Sequence, residues 1–224
     1  MVGERLIDGP IEGPIEGTGE RPFDVVLFDL GGVLVDPGGV GEMRVLSGIE
    51  SDEELWRRWL SCPWVQRFEA GRCTGEEFAA GVVGDWGLAL SPDEFLAAFA
   101  GWRTIPYPGA DRLVAEVRSV ARVGYLSNSN AAQWSAHLAG SPLVGGFDFG
   151  FVSFELGLVK PDRAIFEAVA IRLPVPAAAV GRVLFLDDNL VNVEGARACG
   201  FVARHVRGVD EARRALEADG VLAG

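Results

Sequence analysis

The strongest constraint on the fold is an alternation of short apolar runs with segments of helical spacing. The runs are rich in Val, Leu and Phe and lie at residues 23–30, 120–126, 147–154, 183–186 and 201–205. Segments with the spacing of amphipathic helices lie at residues 109–119, 131–139, 161–172 and 191–199. Strands that alternate with helices in this way pair in parallel. The sequence therefore predicts an α/β fold with a largely parallel sheet.

Residues 38–104 break this alternation. Their apolar residues recur at helical spacing, and Gly and Pro separate the pieces. We expect an all-helical insertion after the first strand. Its larger aromatic residues fit best as the insertion's own core, the alternative being that one or two of them face a substrate cavity. These residues are Trp56, Trp59, Trp64, Phe68 and Trp86.

The first 21 residues differ in composition from the rest of the chain. They are rich in Gly, Pro and Glu and contain a near-repeat of Ile-Glu-Gly-Pro. Such a segment buries too little apolar surface to offset the entropy lost on ordering. We expect residues 1–21 to form a flexible tail.

The charge of the chain limits its partners. Its 224 residues carry a formal net charge of −12, which disfavours nucleic acid as a partner. No apolar run approaches the length of a membrane span, and the N-terminus lacks the pattern of a signal peptide. Cys62, Cys73 and Cys199 form no recognisable framework and are expected as reduced thiols. These features predict a cytoplasmic protein with a small-molecule partner, in an oligomeric state that the sequence leaves open.

Polar residues follow four of the predicted strands. Asp29 follows the first strand, Ser127 and Asn128 the second, Lys160 the third, and Asp187 with Asp188 the fourth. The carboxyl ends of parallel strands meet at one edge of a sheet, where ligands of such folds bind. A single aspartate at this place often only caps a turn. Four such groups at corresponding strand ends predict a functional site.

Four motifs around these residues resemble those of the haloacid dehalogenase-like (HAD) superfamily. They are FDLGGVLVD at residues 28–36, YLSNSN at 125–130, GLVKPD at 157–162 and FLDDN at 185–189. The resemblance extends from residue 23 to about residue 207. It implies a Rossmann-like α/β core formed by residues 22–37 and 105–224, with a helical cap at residues 38–104.

The resemblance also implies roles for the acidic residues. Asp29 would be a nucleophile that forms a covalent aspartyl intermediate. Mg²⁺ would be held by Asp29, Asp187 and the backbone carbonyl of Gly31, since hard cations prefer oxygen ligands. Asp188 would not bind the ion directly but would contact water bound to it.

The other motif residues would handle the anionic substrate. Ser127 and Asn128 would donate hydrogen bonds to the oxygens of a phosphoryl group. A helix beginning near Asn130 would direct its N-terminus at the same anion. Lys160 would neutralise charge in the transition state and orient Asp29.

Gly31 departs from the pattern of most phosphatases in this superfamily, which hold a second Asp there as general acid and base. Such help contributes roughly 10²–10⁴ in rate. The favoured hypothesis is a Mg²⁺-dependent phosphatase for a small phosphorylated metabolite, for example a sugar 1-phosphate, whose leaving oxygen needs less protonation. The alternatives are a haloalkanoate dehalogenase, in which halide leaves without a proton, and a HAD-like binding protein without turnover. Asp36 is too far along the chain to be assigned the missing role.

Other polar residues are expected to be structural. His137 and His205 have no second histidine at metal-ligand spacing. In the insertion, Glu69 and Arg72 fit best as a solvated helix end, the alternative being that the arginine clamps a polar part of the substrate.

Overall fold

The computed structural model describes residues 21–224 of the chain, so all but the last residue of the predicted tail lies outside the described residues. A central sheet contains five parallel strands in the order β5-β4-β1-β6-β7. The strands are β1 Val25–Phe28, β4 Arg122–Ser127, β5 Phe149–Val152, β6 Val183–Asp187 and β7 Val202–His205. The predicted parallel α/β architecture is confirmed.

The central strand β1 shows why its sequence is apolar throughout. Val26 and Phe28 pack into a cluster on one face of the sheet, and Val25 and Leu27 pack into a cluster on the other face. All four residues are fully buried. Successive side chains of a strand point to opposite faces, so a strand covered on both faces needs apolar residues at every position.

Seven helices in the described residues accompany this sheet, together with two irregular turns. They are α6 Ala110–Arg118, α7 Ala131–Gln133 continued by a π-helical turn Trp134–Leu138, α8 Pro142–Gly145, α9 Ser153–Leu156, α10 Arg163–Arg172, α11 Leu190–Ala198 and α12 Gly208–Ala218, with a 3₁₀ turn at Ala177–Arg182. Helices α6 and α12 cover one face of the sheet, and α10 and α11 cover the other.

Two parts of the core differ from the prediction. The run at residues 147–154 was expected to be extended throughout, but β5 ends at Val152 and Ser153 begins α9. The apolar run continues past the strand because Phe154 packs against the core cluster from the short helix. The sequence analysis also omitted α12, whose Ala212 and Leu216 are buried against the sheet.

The insertion consists of five helices with a core of their own. The helices are α1 Val40–Ser47, α2 Asp52–Ser61, α3 Pro63–Glu69, α4 Gly75–Trp86 and α5 Pro92–Gly101. Phe78 lies at the centre of this core, with its ring 4.4 Å from Phe68 and 4.9 Å from Phe99. Four of the five aromatic residues expected in this core belong to it, whereas Trp56 lies outside the cluster. That these helices act as a separate cap domain stays a prediction.

A two-stranded antiparallel ribbon marks the point where the insertion leaves the core and returns to it. Its strands are β2 Val35–Asp36 and β3 Ile105–Pro106. Just beyond the ribbon, Gly38 has a positive φ, and a Cβ there would lie 2.5 Å from the carbonyl oxygen of Arg103. A glycine is therefore needed where the outgoing and returning segments pass each other.

No helix among the described residues combines the length and apolar character needed to cross a membrane. The three cysteines are unpaired in the structure, as the sequence predicted.

Replacing Phe78 should test the core of the insertion. Phe78→Ala removes a fully buried ring and leaves a cavity, so we expect the free energy of unfolding to fall by roughly 3–5 kcal/mol. Urea denaturation monitored by circular dichroism would measure this. Val45→Ala in α1 is the control, because Val45 is 84% exposed, and its effect should stay within about 0.5 kcal/mol. Equal effects of the two substitutions would contradict the packing described here.

Candidate active site

The structure brings the predicted site residues together at the carboxyl edge of the sheet. Asp29 follows β1 directly, Ser127 is the last residue of β4, and Asp187 is the last residue of β6. Lys160 lies in the loop between α9 and α10 and reaches the same place. Asp29, Ser127, Lys160 and Asp187 are all buried, although each is polar or charged.

The ammonium group of Lys160 joins these strands. Its Nζ lies 3.0 Å from Asp29 Oδ1 and 2.7 Å from Asp187 Oδ2, and it donates a third hydrogen bond to the carbonyl oxygen of Leu126 at 2.9 Å. An ammonium has three N–H donors, so every donor has an acceptor. The side chain of Lys160 is 1% exposed, and water therefore does not compete for these contacts.

Asp29 keeps one oxygen free. Its Oδ1 accepts hydrogen bonds from Lys160 and, at 2.7 Å, from the backbone N–H of Leu30. Among the residues that the structure describes, no hydrogen bond reaches Oδ2. A carboxylate held through one oxygen, with the other uncommitted, is arranged to attack an electrophile or to bind a cation.

Burial and charge act against each other at this cluster. Burial raises the pKa of Asp29 well above its usual range, and the carboxylates of Asp187 and Asp188 add to this, while the positive charge of Lys160 opposes it. Burial alone would lower the pKa of Lys160, but the carboxylates of Asp187 and Asp29 raise it above its ordinary value. The lysine therefore stays charged.

Asp187 is saturated with hydrogen bonds. Its Oδ1 accepts from the backbone N–H of Asn189 at 2.8 Å and from Asn192 Nδ2 at 3.0 Å. Its Oδ2 accepts from Lys160 and, at 3.1 Å, from the same Asn192 amide. Three donor groups, one of which contacts both oxygens, thus make four hydrogen bonds to this carboxylate.

Asp188 is placed differently from its neighbour. Its Oδ2 lies over Gly32, where a Cβ would approach it to 2.1 Å, and Gly32 has a φ of 70°. Burial raises the pKa of Asp188, as does the charge of Asp187, while Lys160 and Arg207 oppose the shift. The main-chain carbonyl of Asp188 is 2.8 Å from His205 Nε2, so this histidine fixes the backbone beside the cluster.

The three carboxylates form a group suited to a cation. One oxygen from each of Asp29, Asp187 and Asp188 lies within 4.8 Å of the others. Hard divalent cations prefer such oxygen ligands. The residues present therefore fit a magnesium site.

The two residues at the end of β4 differ in what they can offer a substrate. Among the described residues, Ser127 Oγ makes only a long contact of 3.4 Å, to the carbonyl oxygen of Asn128. The Asn128 side chain holds the backbone of Lys160, since Nδ2 donates one N–H to its carbonyl at 3.0 Å and Oδ1 accepts from its N–H at 2.9 Å, while the second N–H of Nδ2 makes no hydrogen bond to the described residues. The asparagine side chain thus positions the lysine, a role that the sequence did not predict. Asn130 caps α7, as its Oδ1 accepts from Gln133 N at 3.0 Å.

Gly31 lies beside open space. A Cβ at this position would have no atom within 4 Å. The absence of a carboxylate here is therefore not imposed by crowding, and the position leaves room next to Asp29.

The sequence did not predict the surroundings of three further polar residues. Arg72 and Glu69 belong to the insertion, and His137 belongs to the π-helical turn that follows α7. Arg72 Nη2 donates to the carbonyl oxygen of Gly157 at 2.6 Å, so this exposed guanidinium also joins the insertion to the core. His137 Nε2 lies 3.3 Å from the carbonyl oxygen of Ala100 in α5. Burial raises the pKa of Glu69 to about 7, an effect that the charge of Lys160 partly offsets.

Two further residues of the site escaped the sequence analysis. Asn192 in α11 holds both oxygens of Asp187, and the fully buried Ser153 accepts from the backbone N–H of Ser129 at 2.9 Å. The available signal for Asn192 was its spacing, since a residue one helical turn into α11 returns to the aspartate before the helix. Ser153 carried no such signal, because its segment was predicted as strand.

Comparison with known proteins identifies the family. A family model for haloacid dehalogenase-like hydrolases matches residues 23–200. Pyrimidine 5'-nucleotidase YjjG of Escherichia coli (strain K12) is 28% identical over 131 residues, which cover 56% of this chain and 57% of the nucleotidase. The chain thus matches little more than half of that relative's length.

Solved structures share the fold. A HAD family enzyme from Bacteroides thetaiotaomicron, in complex with magnesium and inorganic phosphate, has a TM-score of 0.61 and 23% identity, over 83% of this chain and 94% of that chain. The L-2-haloacid dehalogenase of Xanthobacter autotrophicus with chloropropionic acid covalently bound has a TM-score of 0.62 and 23% identity, over 89% and 84%. Together with the family model, which spans most of the sequence, the parallel sheet and the motifs at its carboxyl edge show that this chain is a hydrolase of the haloacid dehalogenase-like family.

Proposed function

We propose that the protein is a Mg²⁺-dependent phosphomonoester hydrolase that acts on a small phosphorylated metabolite through an aspartyl-phosphate at Asp29. The observation that carries this proposal is the uncommitted Oδ2 of a buried aspartate, held by Lys160 beside two further carboxylates. Two similar proteins point the same way, one by its name as a nucleotidase and one by its complex with magnesium and phosphate.

Asp29 performs the attack in this proposal. Its Oδ1 stays fixed by Leu30 and Lys160, which aims Oδ2 at the phosphorus. The ammonium of Lys160 opposes the rise that burial imposes on the pKa of Asp29, which favours the ionised nucleophile, and it offsets negative charge that accumulates in the transition state. Hydrogen bonds to Asn128 and Asp187 fix the position of Lys160.

The metal ligands we propose differ in one respect from the sequence-based expectation. Asp187 was expected to bind the ion directly and Asp188 to act through water, but Asp187 is fully buried and each of its oxygens already accepts two hydrogen bonds. Asp188 lies against the loop that contains the Gly31 carbonyl and accepts no side-chain hydrogen bond among the described residues. We therefore assign Asp29, Asp188 and the Gly31 carbonyl to the ion, and Asp187 to the orientation of Lys160. Bound magnesium supplies positive charge that lets a carboxylate approach an anionic phosphate.

Substrate binding falls to the loop after β4. Ser127 Oγ, which has only a long contact to the Asn128 carbonyl among the described residues, donates to a phosphoryl oxygen. The side chain of Asn128 holds Lys160 with one N–H and its Oδ1, and its second N–H donates to the same ligand, as the sequence predicts. The remaining positive charge comes from Lys160 and the metal, which suits a small dianionic ligand better than a long polyanion.

The leaving group sets the choice of substrate. Gly31 itself offers no acid, so an oxygen that departs readily as an anion makes the smallest demand on any other proton donor at this site. Sugar phosphates with the phosphate at the anomeric carbon meet this condition, and we propose them as substrates that are turned over at least as fast as primary-alkyl phosphates.

The alternatives fit the site less well. A haloalkanoate dehalogenase needs no metal, and its substrate carboxylate would meet the negative charge of Asp29, Asp187 and Asp188. A binding protein without turnover would have no need for a buried Lys160 that holds a nucleophile in place.

Phosphate release under defined metal conditions tests the proposal. We expect the wild type to release phosphate from a panel of phosphomonoesters with Mg²⁺ and to stop when a chelator is added. Asp29→Asn should lose at least about 10³-fold in kcat, because an amide cannot replace the nucleophile. Asp85→Asn, an exposed position in α4, is the matched control and should retain full activity. Phosphate release that persists in Asp29→Asn, or that continues after the chelator is added, would refute the proposed mechanism.

Two further substitutions distinguish the roles of the paired aspartates. Asp188→Asn should raise the Mg²⁺ concentration for half-maximal activity by at least about tenfold and remove the thermal stabilisation that Mg²⁺ gives to the wild type. Asp187→Asn should chiefly lower the urea midpoint, because it removes a buried partner of Lys160. If Asp187→Asn raised the Mg²⁺ requirement more than Asp188→Asn, the assignment predicted from the sequence would be right, with Asp187 as the direct ligand and Asp188 acting through water.

A further inference from the structure

We propose that Glu69, in the helical insertion, is the group that protonates the leaving oxygen and later accepts a proton from the attacking water. This inference rests on the hydrolase activity proposed above. It assigns to a residue of the insertion the proton transfer for which Gly31 has no side chain.

The backbone of Glu69 is fixed to the phosphate-binding loop. Glu69 ends α3, and its carbonyl oxygen accepts a hydrogen bond from Ser153 Oγ at 2.6 Å. The same hydroxyl accepts from the backbone N–H of Ser129, which follows Ser127 and Asn128 in the chain. A single buried serine thus links Glu69 to the loop that would hold the phosphoryl group.

The residues after Glu69 rest directly on the core. A Cβ on Gly71 would lie 2.6 Å from the carbonyl oxygen of Phe154, and Gly71 has a φ of 63°. Arg72 then donates to the carbonyl of Gly157 at 2.6 Å. Three successive contacts therefore hold this turn against the segment from Ser153 to Gly157, which limits the directions that the Glu69 side chain can take.

The environment of the carboxyl group suits proton transfer. Burial raises the pKa of Glu69 to about 7, and the charge of Lys160 acts in the opposite direction. The segment on which the turn rests, from Ser153 to Gly157, continues directly into the loop that carries Lys160. Near neutral pH the acid and its conjugate base are both populated, which is the condition for efficient general acid–base catalysis.

Charged groups lie on each element that packs against α3. The core segment beneath the turn carries Glu155, an exposed residue of α9 whose own pKa burial raises, and leads to Lys160. Helices α2 and α4 carry the exposed residues Glu53, Glu54, Glu76 and Glu77. Arg72 is engaged with Gly157, and Lys160 with Asp29 and Asp187. Lys160 is thus the charge that opposes the effect of burial on Glu69.

The two chemical steps balance with this single proton carrier. In the first step, Asp29 Oδ2 bonds to phosphorus, the ester P–O bond breaks, and the leaving oxygen takes its electron pair and the proton of Glu69. The alcohol departs and Glu69 is left as a carboxylate. In the second step, water bonds to phosphorus and gives a proton to Glu69, while the aspartyl P–O bond breaks and its electron pair returns to Asp29. Inorganic phosphate leaves, and both residues are restored.

Glu69→Gln tests this role with two substrates that differ in their need for a proton. For a primary-alkyl phosphate, kcat/KM should fall by about 10²–10⁴, because the leaving alkoxide is unstable without protonation. For p-nitrophenyl phosphate, whose leaving group is stable as an anion, we expect kcat/KM to fall less than about tenfold. The substitution keeps the backbone carbonyl that Ser153 binds, so the docking of the turn is retained.

The pH dependence gives a second measurement. Glu69 must be protonated in the first step, so kcat/KM of the wild type for the alkyl phosphate should be high below pH 7 and fall as the pH rises through about 7. This descending limb should be absent in Glu69→Gln. Glu155→Gln is the matched control and should retain both the wild-type rate and the descending limb.

The space beside Gly31 allows a rescue experiment. Adding Gly31→Asp to Glu69→Gln places a carboxyl group near Asp29 at a position with no atom within 4 Å of the new Cβ. We expect at least about a tenfold recovery of alkyl phosphate turnover, within the range of general acid catalysis. A double variant no faster than Glu69→Gln would count against a lost proton as the cause.

The outcomes separate this inference from the function on which it rests. Equal losses of kcat/KM on both substrates, or no loss on either, would overturn the role of Glu69. Activity of the wild type would in that case still support the proposed hydrolase function. A wild type inactive towards both substrates with Mg²⁺ would refute the hydrolase proposal, and the inference would fall with it.

Discussion

The site depends on one ammonium group shared between two buried carboxylates. Lys160 contacts Asp29 after β1 and Asp187 at the end of β6, two strands that pair in parallel at the centre of the sheet. Removing one partner of such a buried arrangement costs about 3–5 kcal/mol, since the remaining charge is left without compensation. Lys160 therefore contributes both to the stability of the sheet's centre and to the orientation of the Asp29 carboxylate.

The rest of the site can be understood from this contact. Asn128 fixes the backbone of Lys160, and Asn192 fixes Asp187, so the lysine and one of its two carboxylate partners are each held by an amide side chain. Because these groups satisfy one another, they have little capacity left for a ligand. Among the described residues, the groups left available include the Oδ2 of Asp29, the carboxylate of Asp188 and the hydroxyl of Ser127. A rigid interior thus presents a small reactive surface, as preorganised catalysis requires.

The sequence predicted the elements that depend on local pattern. The apolar runs gave the strands, and the polar residues that end them gave Asp29, Ser127, Lys160 and Asp187 as neighbours. It could not predict how hydrogen bonds divide the roles of Asp187 and Asp188, because adjacent identical residues carry no information about which one is saturated. The contact between Glu69 and the core was equally hidden, since the backbone carbonyl of Glu69 binds a serine more than 80 residues away in the chain.

The ribbon formed by Val35–Asp36 and Ile105–Pro106 has a consequence for how such a protein can change over evolutionary time. The chain departs from the core and rejoins it at hydrogen-bonded neighbours, roughly 5 Å apart as in any antiparallel pair. Whatever lies between these strands can be shortened, lengthened or exchanged without stretching the core sheet. A lineage could therefore acquire a new substrate by recombination at one joint, while the chemistry inherited at the strand ends stays untouched.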